Sequence, residues 1–341
     1  MSPMETETIR RILGRAFDAA GMPIHGFVGR EALREVAALL SPERRSRYGV
    51  DEAGGAVVAA LPYGEGPPEE PPWACAYPGR RVALARFARA NWYGELVSRL
   101  KKASAAARAE LAAAGVEAGE AGLWRCLANS GLPEKPLAVR ARLGRIGRHG
   151  LVIVDGAGPA CVLGLLLLPL DPAPPALPGE AAAPPAFATP ERPGASCGSC
   201  RACVDACPTG ALSADGGYDR MRCLQHWSVV EGELPPLIEA AWGERLYGCD
   251  ACLEACPHFR LDPGAVTGLG LLGAGLPAAW LAEASDAEIR SRLRGSALGM
   301  RWISPTALRR NALLAGRRDD GSRGDGSRGE GGWSDGDRGA I

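Results

Sequence analysis

The chain has 341 residues, 46% of them hydrophobic and 23% charged, with Lys plus Arg and Asp plus Glu balanced at 39 each. That length holds about two domains and a sizeable core, and the charge balance excludes a global polyelectrolyte partner, so any polyanion site must be local. The longest purely apolar stretches, Leu151–Val154 and Leu165–Leu168, fall far short of the roughly 20 residues that span a bilayer.

The opening MSPMETETIRRILGRAF reads as an amphipathic helix without the apolar centre of a secretory signal. A soluble, cytoplasmic protein with no membrane contact is the expectation. Apolar spacing predicts helices over residues 5–20 and 30–41, and GGAVVAALP (54–62) reads as a buried strand closed by proline. A Pro-rich loop from 67 to 78 precedes a helical pattern over 82–113, whose Arg86, Arg89, Arg99, Lys101 and Lys102 are expected on a solvated face. Residues 151–154 and 161–168 read as two strands joined by the turn Asp155-Gly156-Ala157-Gly158, continuing the sheet begun near residue 56. The expected fold is therefore an α/β (α+β) N-terminal domain over residues 1–170. A Pro/Ala-rich linker (171–193) leads to a ferredoxin-like double-cluster module (194–262), short C-terminal helices (263–316) and a Gly/Ser/Asp/Arg-rich disordered tail (317–341).

Cysteine usage carries the chemistry. Of 11 cysteines, Cys75, Cys126 and Cys161 stand singly and read as packed small hydrophobes. The rest crowd between Cys197 and Cys256 at metal-ligand spacing, unlike a disulfide framework. Cys197-Gly-Ser-Cys200-Arg-Ala-Cys203-Val-Asp-Ala-Cys207-Pro208 matches the C-x2-C-x2-C-x3-C-P run of two-cluster ferredoxins. Its tight loop lets three thiolates wrap one cubane while the fourth points to another. Thiolates select iron–sulfur clusters or zinc, and the trailing Cys-Pro favours the clusters. The second motif, Cys249-Asp-Ala-Cys252-Leu-Glu-Ala-Cys256-Pro257, has Leu246 where its first cysteine belongs, and Cys223 is the remaining cysteine that can replace it. The crossover rule then gives one [4Fe–4S] cluster Cys197, Cys200, Cys203 and Cys256, and the other Cys207, Cys223, Cys249 and Cys252.

These motifs with their inserted cysteine, the segment GCDACLEACPHFR and the upstream NSGLPEKPLAVRARLGRIGRHGLVI resemble the epoxyqueuosine reductase family, cobalamin-dependent enzymes that finish the tRNA wobble base queuosine. The resemblance runs from about residue 10 to 315, loosest over the first 120, and Ala297–Ala315 looks like the lead into the family's C-terminal helical repeats. It implies a base-off cobalamin between the α/β domain and the cluster module, held by Asn129, Arg145 and Arg148 on one side and by Gln225 and His226 on the other. His226 is either a cobalt ligand or an ordinary hydrogen-bonded histidine, the reading also given to His25, His149 and His258.

Two departures stand out. Where the family has a proton-donating aspartate, this chain reads Cys126-Leu127-Ala128-Asn129-Ser130. An amide is no general acid near neutral pH, so the catalytic acid is unassigned, with Asn129 and Glu134 as the candidates. The family's Ala-Gly-Leu-Gly-Trp becomes Ala141-Arg142-Leu143-Gly144-Arg145, which with Arg140, Arg148 and His149 makes a local basic cluster expected to grip corrinoid amides, a phosphate or an anionic substrate, or to be simply solvated. The leading reading is a reductase that takes electrons from a small donor such as flavodoxin or ferredoxin, through both clusters, to cobalamin. The resemblance implies epoxyqueuosine in tRNA as substrate, on less support because the sequence reads as a short form without the tRNA-holding repeats. The alternatives are a non-catalytic electron-transfer protein docking a redox partner, and a reductive dehalogenase relative, which normally brings an export signal.

Overall fold

A computed structural model describes residues 3–64, 70–173 and 193–316. Most of the expected linker, the 317–341 tail and part of the Pro-rich loop lie outside the described residues. The strands, in chain order, are β1 (His25–Gly29), β2 (Gly55–Pro62), β3 (Arg81–Leu84), β4 (Arg125–Ala128), β5 (Gly144–Ile146), β6 (Val152–Val154), β7 (Cys161–Leu168), β8 (Arg245–Tyr247) and β9 (Gly275–Pro277). The main sheet has the order β1-β2-β7-β4, antiparallel throughout.

Both faces of this sheet are covered, which is why β2 and β7 are nearly continuous apolar runs rather than alternating ones. Val57, Ala59, Val162 and Leu166 point to a core built with Ile9, Ile12, Leu13 and Phe17 of the helix Pro3–Ala19 and Leu96, Leu100 and Leu111 of the helix Trp92–Ala113. Val58, Ala60, Leu165 and Leu167 point the other way, to Leu33 and Val36 of the helix Arg30–Ala37 and Leu137 and Ala138 of the helix Glu134–Arg140.

Two local readings change. The strands β6 and β7 are not partners: β6 pairs antiparallel with β5, while β7 joins β2 and β4. The tight turn between β5 and β6, in which Gly147 N–H donates to the Leu151 carbonyl at 2.9 Å, lets the nearest extended segment claim β6 first. The turn at Asp155–Gly158 therefore passes the chain from the small sheet to the large one. Val82–Leu84 does not start the long helix either. It is the central strand of a second sheet, β8-β3-β9, parallel to β8 and antiparallel to β9. The helix begins at Trp92, capped by Asn91, whose side chain accepts from Gly94 N–H at 2.8 Å. Nor is the basic run all solvated: Arg86 ion-pairs with Glu254 at 2.8 Å, and its backbone N–H donates to Asp250 at 2.7 Å.

The second sheet ties residues from the first third of the chain to the cysteine-rich segment and the C-terminal helices. Its core joins Val82, Leu84, Leu246, Leu276, Trp280, Leu281 and Leu308. Among the described residues no helix is long and apolar enough to cross a membrane.

Candidate functional site

The cysteines come from two short helices, Ala202–Asp205 and Ala251–Glu254, which pack on each other, and from the loops around them. Burial pushes the Cys203 thiol above its ordinary value, and its thiol neighbours Cys197, Cys256 and Cys200 push it further. Cys256 is likewise raised by burial, with Cys197 and Cys200 adding to the effect. Burial also drives Cys252 up to about 12, followed by Cys249, Cys223 and Cys207, and then more weakly by Cys203. The structure thus brings together Cys197, Cys200, Cys203 and Cys256 in one set and Cys207, Cys223, Cys249 and Cys252 in another, with Cys203 and Cys252 where the two adjoin.

Hydrogen bonds support the second set. Burial works to raise Cys207, but donors that include the Thr209 and Ala211 N–H groups outweigh it and hold the thiol below its ordinary value; the Ala211 N–H reaches Sγ at 3.2 Å. The Tyr218 phenol is raised by burial and by its hydrogen bond to Cys223. Among the described residues no group of three or more His, Cys, Asp or Glu side chains closes around a single metal ion. Thiols crowded so that each raises the next are a donor set whose ionisation requires a cationic partner, and that chemistry fits an iron–sulfur cluster.

Against this module stands the segment that follows β4. Asn129 takes a left-handed conformation (φ 49°) and is exposed. The turn lets Ser130 donate both its N–H, at 2.9 Å, and its hydroxyl, at 3.0 Å, to Oε1 of Glu134. Burial nonetheless pushes the Glu134 carboxyl up to about 7. Tyr93 is raised by burial, then by Glu134 and Tyr247, while Tyr247 itself, pushed up to about 12 by burial, is hydrogen-bonded to Gln225. Lys135 is exposed, yet protein around it holds its ammonium below the ordinary value, with Glu134 and Cys252 close enough to pull the other way.

His149 is 8% exposed. Its Nδ1 accepts from the Leu151 N–H at 3.1 Å, which makes Nε2 the protonated nitrogen, and Nε2 is buried without a partner among the described residues. Burial first, then Lys135 and His258, lowers its pKa to about 4, so it is neutral.

The basic cluster expected from sequence does not form one patch. Arg140 pairs with Glu35 at 2.6 Å. Arg145 pairs with Asp155 at 3.5 Å and contacts His258 Nε2 at 3.1 Å. Arg148 reaches into the first cysteine loop, donating to the carbonyls of Cys200 and Gly198. Arg142 is exposed in a left-handed conformation (φ 60°). The four side chains come from the end of the helix (Arg140), the turn after it (Arg142), strand β5 (Arg145) and the turn that follows it (Arg148), and Arg140, Arg145 and Arg148 each meet a different neighbour. His226 packs edge-on to Trp227 at 5.6 Å, and burial and Arg220 hold it below its ordinary value. His25 contacts the Met22 carbonyl at 3.0 Å, an ordinary structural histidine. Tyr93 and Tyr247 are the site residues that sequence reasoning missed, since neither sits in a motif and their convergence depends on how the elements pack. A cavity of about 620 Å³ lined by Glu233, Leu234, Glu239, Arg309, Arg310 and Leu313 includes none of the cysteines.

A protein-family model described as a 4Fe-4S double cluster binding domain matches residues 196–258. The epoxyqueuosine reductase of Burkholderia pseudomallei is 33% identical over 183 residues, 51% of this chain and 43% of that protein. The enzyme of the same name from Shewanella oneidensis is 31% identical over 214 residues, covering 62% and 46%. One from a Synechococcus species is 35% identical over 207 residues, covering 56% and 57%. The chain thus spans about half the length of the curated relatives it matches. The solved structure of epoxyqueuosine reductase from Streptococcus thermophilus superposes with a TM-score of 0.66 at 21% identity, covering 89% of this chain and 79% of that one. A further epoxyqueuosine reductase, crystallised with an epoxyqueuosine-modified tRNA-Tyr stem loop, gives 0.63 at 22% identity over 91% and 81%. At these identities the structural likeness shows a shared fold, while the sequence matches carry the kinship. The chain is a relative of the epoxyqueuosine reductases and carries a double [4Fe–4S] cluster binding domain.

Proposed function

We propose that the chain is an iron–sulfur reductase that delivers electrons through two [4Fe–4S] clusters to a corrinoid held beside Glu134, with epoxyqueuosine in tRNA as substrate. The observation that carries it is the juxtaposition of the crowded thiols, Cys252 among them, with Lys135 and the neighbouring Glu134, whose carboxyl burial pushes up to about 7. Cys197, Cys200, Cys203 and Cys256 hold one cluster; Cys207, Cys223, Cys249 and Cys252 hold the other. Electrons arrive from a small donor of the flavodoxin or ferredoxin class at the first set, where Cys200 is exposed. They leave through the second, whose Cys252 lies near Lys135.

The residues around Glu134 and His149 fit a corrinoid, a large group rimmed with amides. His149 Nε2–H is a buried donor with no acceptor among the described residues, Lys135 acts on it from nearby, and Lys135 and Asn129 are both exposed donors. These residues, with Gln225, would hold it through its amide and phosphate oxygens; Arg145 and His226 flank the same segments. A bound cobalamin would supply a strongly nucleophilic reduced cobalt. The chain itself supplies the proton: Glu134, kept protonated near neutrality by burial and oriented by Ser130, replaces the acid missing at Asn129. The tRNA assignment is drawn from the relatives' named activity and from the solved complex with a modified stem loop.

The test is a visible-absorbance titration of the anaerobically reconstituted protein with cob(II)alamin, followed by an assay for queuosine formation on an epoxyqueuosine stem loop. Saturation near one equivalent, with a shift to the base-off spectrum and product formation, is expected. No shift with both clusters intact would reduce the protein to an electron carrier. Binding without product would move the substrate elsewhere.

A further inference from the structure

We infer that Arg148 sets the reduction potential of the cluster held by Cys197, Cys200, Cys203 and Cys256, as a positive charge locked into that cluster's own loop. The inference rests on the assignment of the cysteines proposed above. Its guanidinium bridges two backbone carbonyls of the loop that carries the first two ligands, Nη2 to Gly198 at 2.9 Å and Nη1 to Cys200. The side chain is also pinned from behind. Gly194, at φ 85°, lies so close that a Cβ there would stand 2.6 Å from Arg148 Cβ, and Gly194 N–H donates to the Ile146 carbonyl at 3.1 Å. These contacts hold the side chain against the loop and keep its charge beside it.

Two further observations give that charge something to do. No carboxylate among the described residues forms an ion pair with Arg148, in contrast to Arg145, which Asp155 partly neutralises. The Arg148 Nε–H is buried and unpartnered among the described residues. An orphaned buried donor is costly, and such groups call for an acceptor. The thiolate and sulfide sulfurs of a cluster are acceptors, and hydrogen bonds to them are among the levers that tune its potential. Reduction adds one electron to the cluster and breaks no bond, so the product is more negative by one charge. A fixed cation and an N–H donor beside it stabilise the reduced form over the oxidised one. Removing them must lower the potential of this cluster, while the second set, with Arg245 beside Cys249, serves as an internal reference.

The experiment is an EPR-monitored redox titration with dithionite of the full chain, reconstituted anaerobically, after iron analysis shows about eight irons per chain. Arg148→Met removes the charge and the donors; Arg148→Lys keeps the charge. The methionine variant is expected to lose at least tenfold in the reduced-to-oxidised ratio of one cluster at fixed potential, about 59 mV for one electron, while the other midpoint stays. The lysine variant should recover most of that shift, which a merely structural role would not predict. If Arg148→Met fails to hold eight irons, Arg148→Gln, which keeps an amide donor for a loop carbonyl, is judged by the same criteria. Unchanged midpoints, or equal movement of both, would overturn the inference. Wild-type protein that binds no clusters would instead overturn the cysteine assignment on which it rests.

Discussion

Glu134 is the residue on which physical chemistry bears most directly. In an unfolded chain its carboxyl ionises near 4.5, whereas burial in the fold moves this to about 7. Between those values the folded state binds more protons than the unfolded one, so stability falls as pH rises through that window. Glu134→Gln removes the penalty. Denaturation followed by circular dichroism should find the variant more stable than wild type at pH 8, by on the order of 3 kcal/mol, with the gap closing towards pH 5. In the proposed reaction the same variant should lose rate by roughly 100- to 10,000-fold, because an amide cannot donate the proton. Retained activity would remove Glu134 as the acid. Cys223 gives a second test at this scale: Cys223→Ser should lower iron from about eight to about four per chain, and a full complement would break the second set. The thiols were legible in sequence because ligand spacing is a local property of the chain. Tyr93, Tyr247 and the orphaned nitrogens of Arg148 and His149 were not, since nothing in a window of sequence records what a side chain meets after packing.

Among the elements, the turn between β6 and β7 shows how little of a strand's fate its own residues decide. Val154 and Cys161 flank it, but β6 and β7 enter different sheets. Gly158, at φ 77°, comes so near the backbone after Cys256 that a Cβ would lie 2.2 Å from the His258 carbonyl oxygen. Gly158→Ala should therefore cost about 1–3 kcal/mol in denaturant unfolding, with easier loss of the cluster that Cys256 serves; an unchanged unfolding midpoint would mean that the turn is not held against the cysteine segment. The same dependence on partners explains β3. Val82-Ala83-Leu84 extends the apolar pattern of the helix after it, and its strand state depends on hydrogen bonding to β8 and β9, contributed from far along the chain.

At the scale of the whole molecule the C-terminal helix Pro305–Gly316 is bolted to the cysteine module by one buried amide. Asn311 is fully buried; its Nδ2 donates to the Ser228 carbonyl at 3.0 Å and the Leu246 carbonyl at 2.8 Å. Its Oδ1 accepts from Arg310, which also spans the carbonyls of Trp227, Val230 and Gly232. Asn311→Leu leaves those two carbonyls unsatisfied, at roughly 1–3 kcal/mol each, and should lower the thermal midpoint measured by circular dichroism while leaving the secondary-structure spectrum intact. Taken by itself, the sequence determined the ligand types, their motif spacing, the buried strands read over 54–62 and 161–168 and the kinship, because each is written in consecutive residues. Where Glu134 finds its tyrosines and which arginine faces the first cysteine loop were decided only by the tertiary structure. Those contacts join segments distant along the chain, and burial, not local pattern, brings them together.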